Sequence, residues 1–217
     1  MLTIKSFTFS PIQENTYVLF NEKDACIVID PGCYFGNERR SLEEFITENG
    51  LNPKFLLNTH CHLDHVFGNK FMHDSYGLPL HLHEKEKEVL RLAPEAGLRW
   101  NMPFENYRGE LIFLNEGKSI WLDEDELKIL FTPGHSPGSI CFYCPAQQFV
   151  ISGDVLFRLS IGRTDIPGGD SNQLIKSIRE VMYILPDETT VYPGHGEPTS
   201  IGFEKKNNPF VNVKSKM

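Results

Sequence analysis

Four apolar runs in this chain each stop at a polar motif built around histidine or aspartate. Phe55-Leu56-Leu57 leads to His60, Ile129-Leu130-Phe131 to His135, Phe149-Val150-Ile151 to Asp154, and Val191-Tyr192 to His195. Short apolar runs bounded by turn residues predict buried strands. Strand ends hold side chains rigidly, and the loops that follow bring those side chains together. The pattern constrains the chain to fold around sheets that present polar groups at their strand ends.

Other segments fill in this outline. Strands are expected at 2–9, 16–20 and 25–29, the last ending in the turn Asp30-Pro31-Gly32. A helix should start at Ser41 with an acidic first turn and close near Gly50. A strand at 54–58 runs into Thr59-His60-Cys61-His62-Leu63-Asp64-His65. Asp64 is placed to cap a helix over 66–76, ended by Gly77. Strand 78–83 and helix 84–92 follow, then a loop at 100–104 and strands at 119–122, 127–132, 139–143 and 149–152. The helix 172–185 carries an apolar stripe of Leu174, Ile175, Ile178, Val181, Met182 and Leu185. A last strand covers 189–192. The expected class is α+β, with two sheets packed face to face and helices outside.

With 217 residues, 40% hydrophobic and 23% charged, the chain suits one globular domain over 1–217. Its charge of −8 comes with scattered lysines and arginines, so no nucleic-acid partner is expected. Two divalent cations would offset half of that charge. The start, Met1-Leu2-Thr3-Ile4-Lys5-Ser6-Phe7, has no basic flank before a long apolar run. No stretch reaches the roughly 20 apolar residues of a membrane span. A cytoplasmic protein without a membrane partner is therefore expected. Cys26, Cys33, Cys61, Cys141 and Cys144 are odd in number and irregularly spaced, which favours reduced thiols over disulfides. Nothing in the sequence sets the oligomeric state.

The motif at 59–65 holds five candidate metal ligands, more than one catalytic ion uses. His60 and His62, spaced i, i+2 in extended chain, point to one side and can grip one ion. The chain then turns into a helix, so Asp64 and His65 can address a neighbouring ion. Downstream, glycines flank His135, Asp154 and His195, which permits close backbone approach. Seven nitrogen and oxygen ligands, with Asp154 bridging, suffice for two ions. Cys61, between two histidines facing the same way, should point elsewhere. Cys141 and Cys144 lie three apart in a strand and face opposite sides. Leu80-His81-Leu82-His83 repeats the His-x-His spacing without a following Asp-His, and is expected to be a half-exposed strand. Asp30 either supports a ligand or only sets its turn.

The order and spacing H-x-H-x-D-H, Gly-His, Gly-Asp, Gly-His-Gly resembles the metallo-β-lactamase superfamily over nearly the whole chain. The resemblance implies a four-layer αβ/βα sandwich with the metal site at the edge between the two sheets. It also implies His60, His62, His135 and Asp154 on a first metal, and Asp64, His65, His195 and Asp154 on a second. True β-lactamases of the family usually lack either the His at position 65 or the bridging Asp. The full set resembles glyoxalase II-like hydrolases, lactonases and persulfide dioxygenases. The stretch from Gly153-Asp154-Val155-Leu156-Phe157 through Ile161-Gly162-Arg163-Thr164-Asp165 to Pro167-Gly168-Gly169-Asp170 is most similar to compact glyoxalase II-like hydrolases. Full-length glyoxalase II continues into a helical domain that helps hold glutathione; with 22 residues after His195, no such C-terminal domain is expected.

The implied function is hydrolysis of an acyl thioester, a small-molecule substrate, by a hydroxide shared between two divalent metal ions. Zinc is the expected cofactor, with iron or manganese as alternatives. Asp64 and Asp154 are the carboxylates given catalytic roles, Asp154 positioning the hydroxide rather than acting as a free base. Arg163 is the candidate for binding a substrate anion, or else pairs with Asp165. Trp100, Met102 and Phe104 either line an acyl pocket or form core under their loop. The rival implications are a mononuclear iron persulfide dioxygenase, a lactone or ester hydrolase, and a non-catalytic metal-binding domain.

Overall fold

Runs of β-branched and large apolar residues set the first sheet. In the computed structural model, which describes residues 1–212, β1 (Thr3–Phe9), β2 (Glu14–Phe20), β3 (Ala25–Ile29), β4 (Asn52–Leu57), β5 (Leu80–His83) and β6 (Leu111–Leu114) pair in sequence order. The β1–β2 and β2–β3 pairs are antiparallel; β3–β4, β4–β5 and β5–β6 are parallel. Crossovers between the parallel strands supply α1 (Gly36–Glu48), α2 (Leu63–Val66), α3 (Asn69–Tyr76) and α4 (Lys87–Arg99). Val18, Val28, Leu42, Ile46, Leu56, Met72 and Leu80 share one apolar core. These elements belong to one compact unit, Met1–Leu114 with Trp121–Asp125.

Four details depart from the sequence reading. The first helix begins at Gly36 rather than Ser41, because the Glu38 carboxylate accepts from the backbone N–H groups of Tyr34 and Phe35 at 2.8 and 2.9 Å. Asp64 lies inside α2 and His62 takes the cap position in extended conformation. The helix expected over 66–76 is split, since the Gly68 N–H donates to the Pro31 carbonyl at 2.7 Å instead of continuing α2. The strand at His81 and His83 is buried throughout, not half-exposed, with His81 Nδ1 3.2 Å from the Leu56 carbonyl.

α4 also runs past its expected end at 92, straight through Pro94. A proline there removes the partner of the Leu90 carbonyl. The Asn106 side-chain amide donates to that carbonyl at 2.6 Å, so the helix continues without an orphaned acceptor.

The second unit is Asn115–Ile120 with Glu126 onward. The second sheet, most of whose residues belong to this unit, is built from β7 (Ser119–Leu122), β8 (Asp125–Phe131), β9 (Ile140–Cys144), β10 (Phe149–Gly153), β13 (Thr190–Pro193) and β14 (Thr199–Ser200). The order is β14-β13-β10-β9-β8-β7, with β10 and β13 parallel. Between β10 and β13 lie a small hairpin, β11 (Leu156–Phe157) and β12 (Ser160–Ile161), and α5 (Ser171–Ser177). Asp170 caps α5 by accepting from the Gln173 N–H. The expected long helix here closes with a π-turn, Ile178–Met182, where the Tyr183 N–H donates to the Ile178 carbonyl. α6 (Ile201–Asn207) follows β14. Val150, Leu156, Leu174, Ile178, Met182 and Val191 lie in this unit's core.

Among the described residues, no helix is long and apolar enough to cross a membrane.

Candidate metal centre

In the first unit, β4 ends at Leu57 and the next eight residues carry His60, His62, Asp64 and His65. The His60 ring lies 4.7 Å from that of His62 and 4.1 Å from that of His65, centroid to centroid. His65 Nε2 is 3.8 Å from Asp64 Oδ2. Two donors about 2.1 Å from one tetrahedral ion sit about 3.4 Å apart, so this pair is close to ligand spacing.

Asp30 organises the group from below. Its backbone sits at φ 49, a left-handed conformation that aspartate tolerates better than most residues. Oδ1 accepts from the Thr59 N–H at 2.7 Å and from the Asn58 amide at 3.1 Å. Oδ2 accepts from the Thr59 hydroxyl at 2.5 Å and lies 3.0 Å from His65 Nδ1. A carboxylate only accepts, so His65 carries its proton on Nδ1 and turns the Nε2 lone pair toward Asp64. The Thr59 hydroxyl has spent its one proton on Asp30. It therefore accepts from His60 Nδ1, 3.1 Å away, and His60 likewise offers Nε2. One aspartate thus sets two imidazole tautomers, the arrangement by which metal-ligating histidines are usually oriented. Ligand-type atoms of Asp30, His60 and His65 all lie within 4.8 Å of one another. Asp30, with its oxygens already engaged by donors, is the support of that trio.

Two more buried carboxylates stand behind the loop. Glu14 lies 3.9 Å from His65 Nδ1 and within hydrogen-bond distance of the Thr16 hydroxyl. Burial pushes its carboxyl well above the usual range, against the opposing pull of His65. Glu86 accepts from the Cys61 N–H at 2.8 Å. The Cys61 side chain turns into the apolar core, and burial, with Glu86 and Asp30 adding to it, pushes its thiol well up. A neutral, buried thiol is neither ligand nor nucleophile.

The second unit assembles its group from three strand ends. His135 lies beyond β8, Asp154 follows β10 directly, and His195 follows β13. His135 Nε2 and His195 Nε2 lie 3.5 and 3.6 Å from the same oxygen, Asp154 Oδ2. His135 Nδ1 is 2.7 Å from the Arg163 carbonyl and donates to it, which puts the ring's lone pair on Nε2. Gly162 is required here: a Cβ would collide with the Asp154 carbonyl and come 3.1 Å from His135 Nδ1. The Arg163 guanidinium itself is solvent-facing and makes a two-pronged pair with Asp165, at 2.8 and 2.9 Å.

Trp100, Met102 and Phe104 separate. Trp100 is 58% exposed, whereas Met102 is buried with Leu63 and Phe67, and Phe104 packs edge-on to Phe67 at 4.9 Å. Cys141 and Cys144 are buried in β9 as thiols rather than as a disulfide.

Each unit thus presents imidazole nitrogens beside a carboxylate, with the tautomers of His60, His65 and His135 set by their partners, a donor set suited to divalent ions. The model of the metallo-β-lactamase superfamily matches residues 10–195. The chain belongs to the metallo-β-lactamase superfamily. Its fold is the metallo-β-lactamase fold, α+β with two mixed sheets and helices, as the sequence motifs implied.

Within the superfamily, the chain is 39% identical over 203 residues to a probable metallo-hydrolase, YqgX, of Bacillus subtilis, covering 93% of this chain and 94% of that one. It is 37% identical over 216 residues to hydroxyacylglutathione hydrolase GloC of Haemophilus influenzae, with 99% and 100% covered. Two solved structures share 35% identity with it. The B3 metallo-β-lactamase BLEG-1 has a TM-score of 0.89, with 97% of this chain and 100% of that one covered. TTHA1623 in a di-iron-bound form has a TM-score of 0.86, with 95% and 99% covered. Membership in this metallo-hydrolase superfamily, with a His/Asp cluster suited to metal, supports a metal-dependent hydrolase acting on a small molecule.

Thr59, Asn58 and the Arg163 carbonyl hold these side chains and were not singled out by the motifs, whereas Asp30 was read as either a support or a turn residue. The only signal for Asp30 was an aspartate ending a strand at a Pro-Gly turn, which a plain turn explains as well.

Proposed function

We propose that this chain is a dinuclear metal-dependent hydrolase of acyl thioesters, of the glyoxalase II type, within a single domain over 1–217. His60, His62, His135 and Asp154 would hold one ion; Asp64, His65, His195 and Asp154 would hold the other. The observation that carries the reading is the approach of two Nε2 atoms to one Asp154 oxygen, at 3.5 and 3.6 Å. A carboxylate so placed suits a bridging ligand. When bound, the ions, zinc or else iron or manganese, would supply Lewis acidity and an acidified water.

The chain's own residues do the rest. Asp30 and the Arg163 carbonyl keep protons on the Nδ1 atoms of His65 and His135, so that their Nε2 atoms stay available as ligands. Asp64 and Asp154 concentrate negative charge beside those nitrogens. No side chain is needed to protonate the leaving group, because a thiolate with a pKa near 8.5 departs unaided. Arg163, on exchanging Asp165 for substrate, would contact an anionic group on the thioester. The relative named hydroxyacylglutathione hydrolase supports a thioester; the B3 metallo-β-lactamase neighbour makes β-lactams the second class to try, and the di-iron neighbour makes iron the second metal.

The test is a substrate panel on protein loaded separately with zinc, iron or manganese. It contains carboxylated and neutral acyl thioesters, lactones, β-lactams and a glutathione persulfide. The highest kcat/KM is expected on a carboxylated thioester. Oxygen-dependent sulfite release from the persulfide, without thioester cleavage, would replace this reading with an oxygenase.

A further inference from the structure

The four proposed ligands of the first unit lie in a segment whose two flanks are tied together by a pair of buried asparagines. Asn58 follows the last residue of β4, and Asn69 is the first residue of α3. Neither is exposed. The Asn69 amide donates to the Asn58 Oδ1 at 2.7 Å. The Asn58 amide in turn donates to Asp30 Oδ1 at 3.1 Å and to the His65 main-chain carbonyl at 2.9 Å.

The direction of this chain is forced. A carboxylate and a peptide carbonyl can only accept, so the NH₂ of Asn58 must face them. Its oxygen then faces Asn69 and requires a donor, so the NH₂ of Asn69 is fixed as well. Asn58 has an anchored base, because its own N–H donates to the His81 carbonyl at 2.9 Å in line with the sheet. A single amide therefore holds both the carboxylate that sets the His65 proton and the backbone that carries His65. α2 is only four residues long, too short to fix the direction of an imidazole by itself.

We propose that Asn58 and Asn69 form a clasp whose work is to aim His65 at its ion. Both are positioning residues; neither touches a proposed ion. The inference rests on the reading of His65 as a metal ligand.

Cobalt(II) is the probe, with bound ions counted by titration, affinities read by chelator competition, and the visible bands recorded. His65→Ala is the reference and should lose one of the ions bound by the unaltered protein. Asn69→Asp keeps the shape but removes the donor, and Asn69→Ala removes the amide without adding charge. Each should keep the fold, shift the visible bands and weaken one cobalt ion about 10–100-fold, the usual effect of removing a partner behind a ligand. Unfolding of the metal-free variants, followed in parallel, separates aiming from bulk stability. Variants that lose thermal stability yet bind both ions with unaltered affinity and bands would overturn the clasp, as would failure of both to fold. If His65→Ala leaves the cobalt count unchanged, the ligand reading fails and the clasp with it. If His65→Ala loses an ion and the Asn69 variants do not weaken one, only the clasp fails.

Discussion

The two halves of the proposed centre are built in opposite ways. In the first unit the ligands are neighbours in sequence, within 60–65, and all but His62 are buried. In the second they arrive from three strand ends far apart in the chain, and the group is more open, with the His195 side chain 26% and that of Asp154 12% exposed. The first half is oriented by side chains: Asp30, Thr59, Asn58 and Asn69. The second is oriented through main chain, by the Arg163 carbonyl and the close pass of Gly162. The contrast has a physical reason. A loop and a one-turn helix leave ring rotation undetermined, so a buried carboxylate must set it. Strand ends are already rigid, so a carbonyl and a missing Cβ suffice.

The contrast breaks first, and hardest, at the residue proposed to serve both ions. Asp154→Ala should lower thioester kcat/KM by about a thousandfold or more, since several kcal/mol of charge stabilisation depend on metal. Elemental analysis should show metal lost from the same sample. Retention of both ions with near-normal turnover would remove Asp154 from the centre.

A smaller effect sharpens the main-chain side of the comparison. Gly162→Ala forces a Cβ onto the Asp154 carbonyl, and overpacking of this kind costs about 1–3 kcal/mol. Denaturant unfolding should register that loss, together with weaker metal binding, although no ligand has been altered. An unchanged midpoint and unchanged metal affinity would mean that β12 can move away freely.

Much of this was legible in the sequence, and what was not has identifiable causes. The strands that precede the ligand motifs stand out because each is a short apolar run that stops abruptly at a polar motif. β11 and β12 have two residues each and no such run, so their hairpin was invisible. β6 is a four-residue edge strand with half its length exposed, so it too lacks a legible pattern. The break between α2 and α3 depends on Pro31, about 37 residues upstream of Gly68, and no local pattern announces a tertiary hydrogen bond. α4 should have ended before Pro94 on local rules; Asn106, well beyond it in the chain, rescues the carbonyl. The ligand candidates were legible because histidines and aspartates either crowd one short motif, 60–65, or sit beside glycines, as at 135, 154 and 195. Of their supports, Asp30 was legible only as one of two alternatives, and Asn58 and Asn69 look like ordinary strand-end and helix-start residues until their partners are known. The burial of both His81 and His83 is hidden for a related reason: alternation with leucine reads as one polar face, whereas this strand is covered on both.

Together, the two half-sites are proposed to serve two ions. The most direct measurement is the metal count of protein stripped with a chelator, reloaded with zinc and dialysed, by elemental analysis against amino-acid concentration. Two ions per chain are predicted, falling toward one in His65→Ala. A single ion per chain in the unaltered protein, unaffected by that substitution, would contradict it.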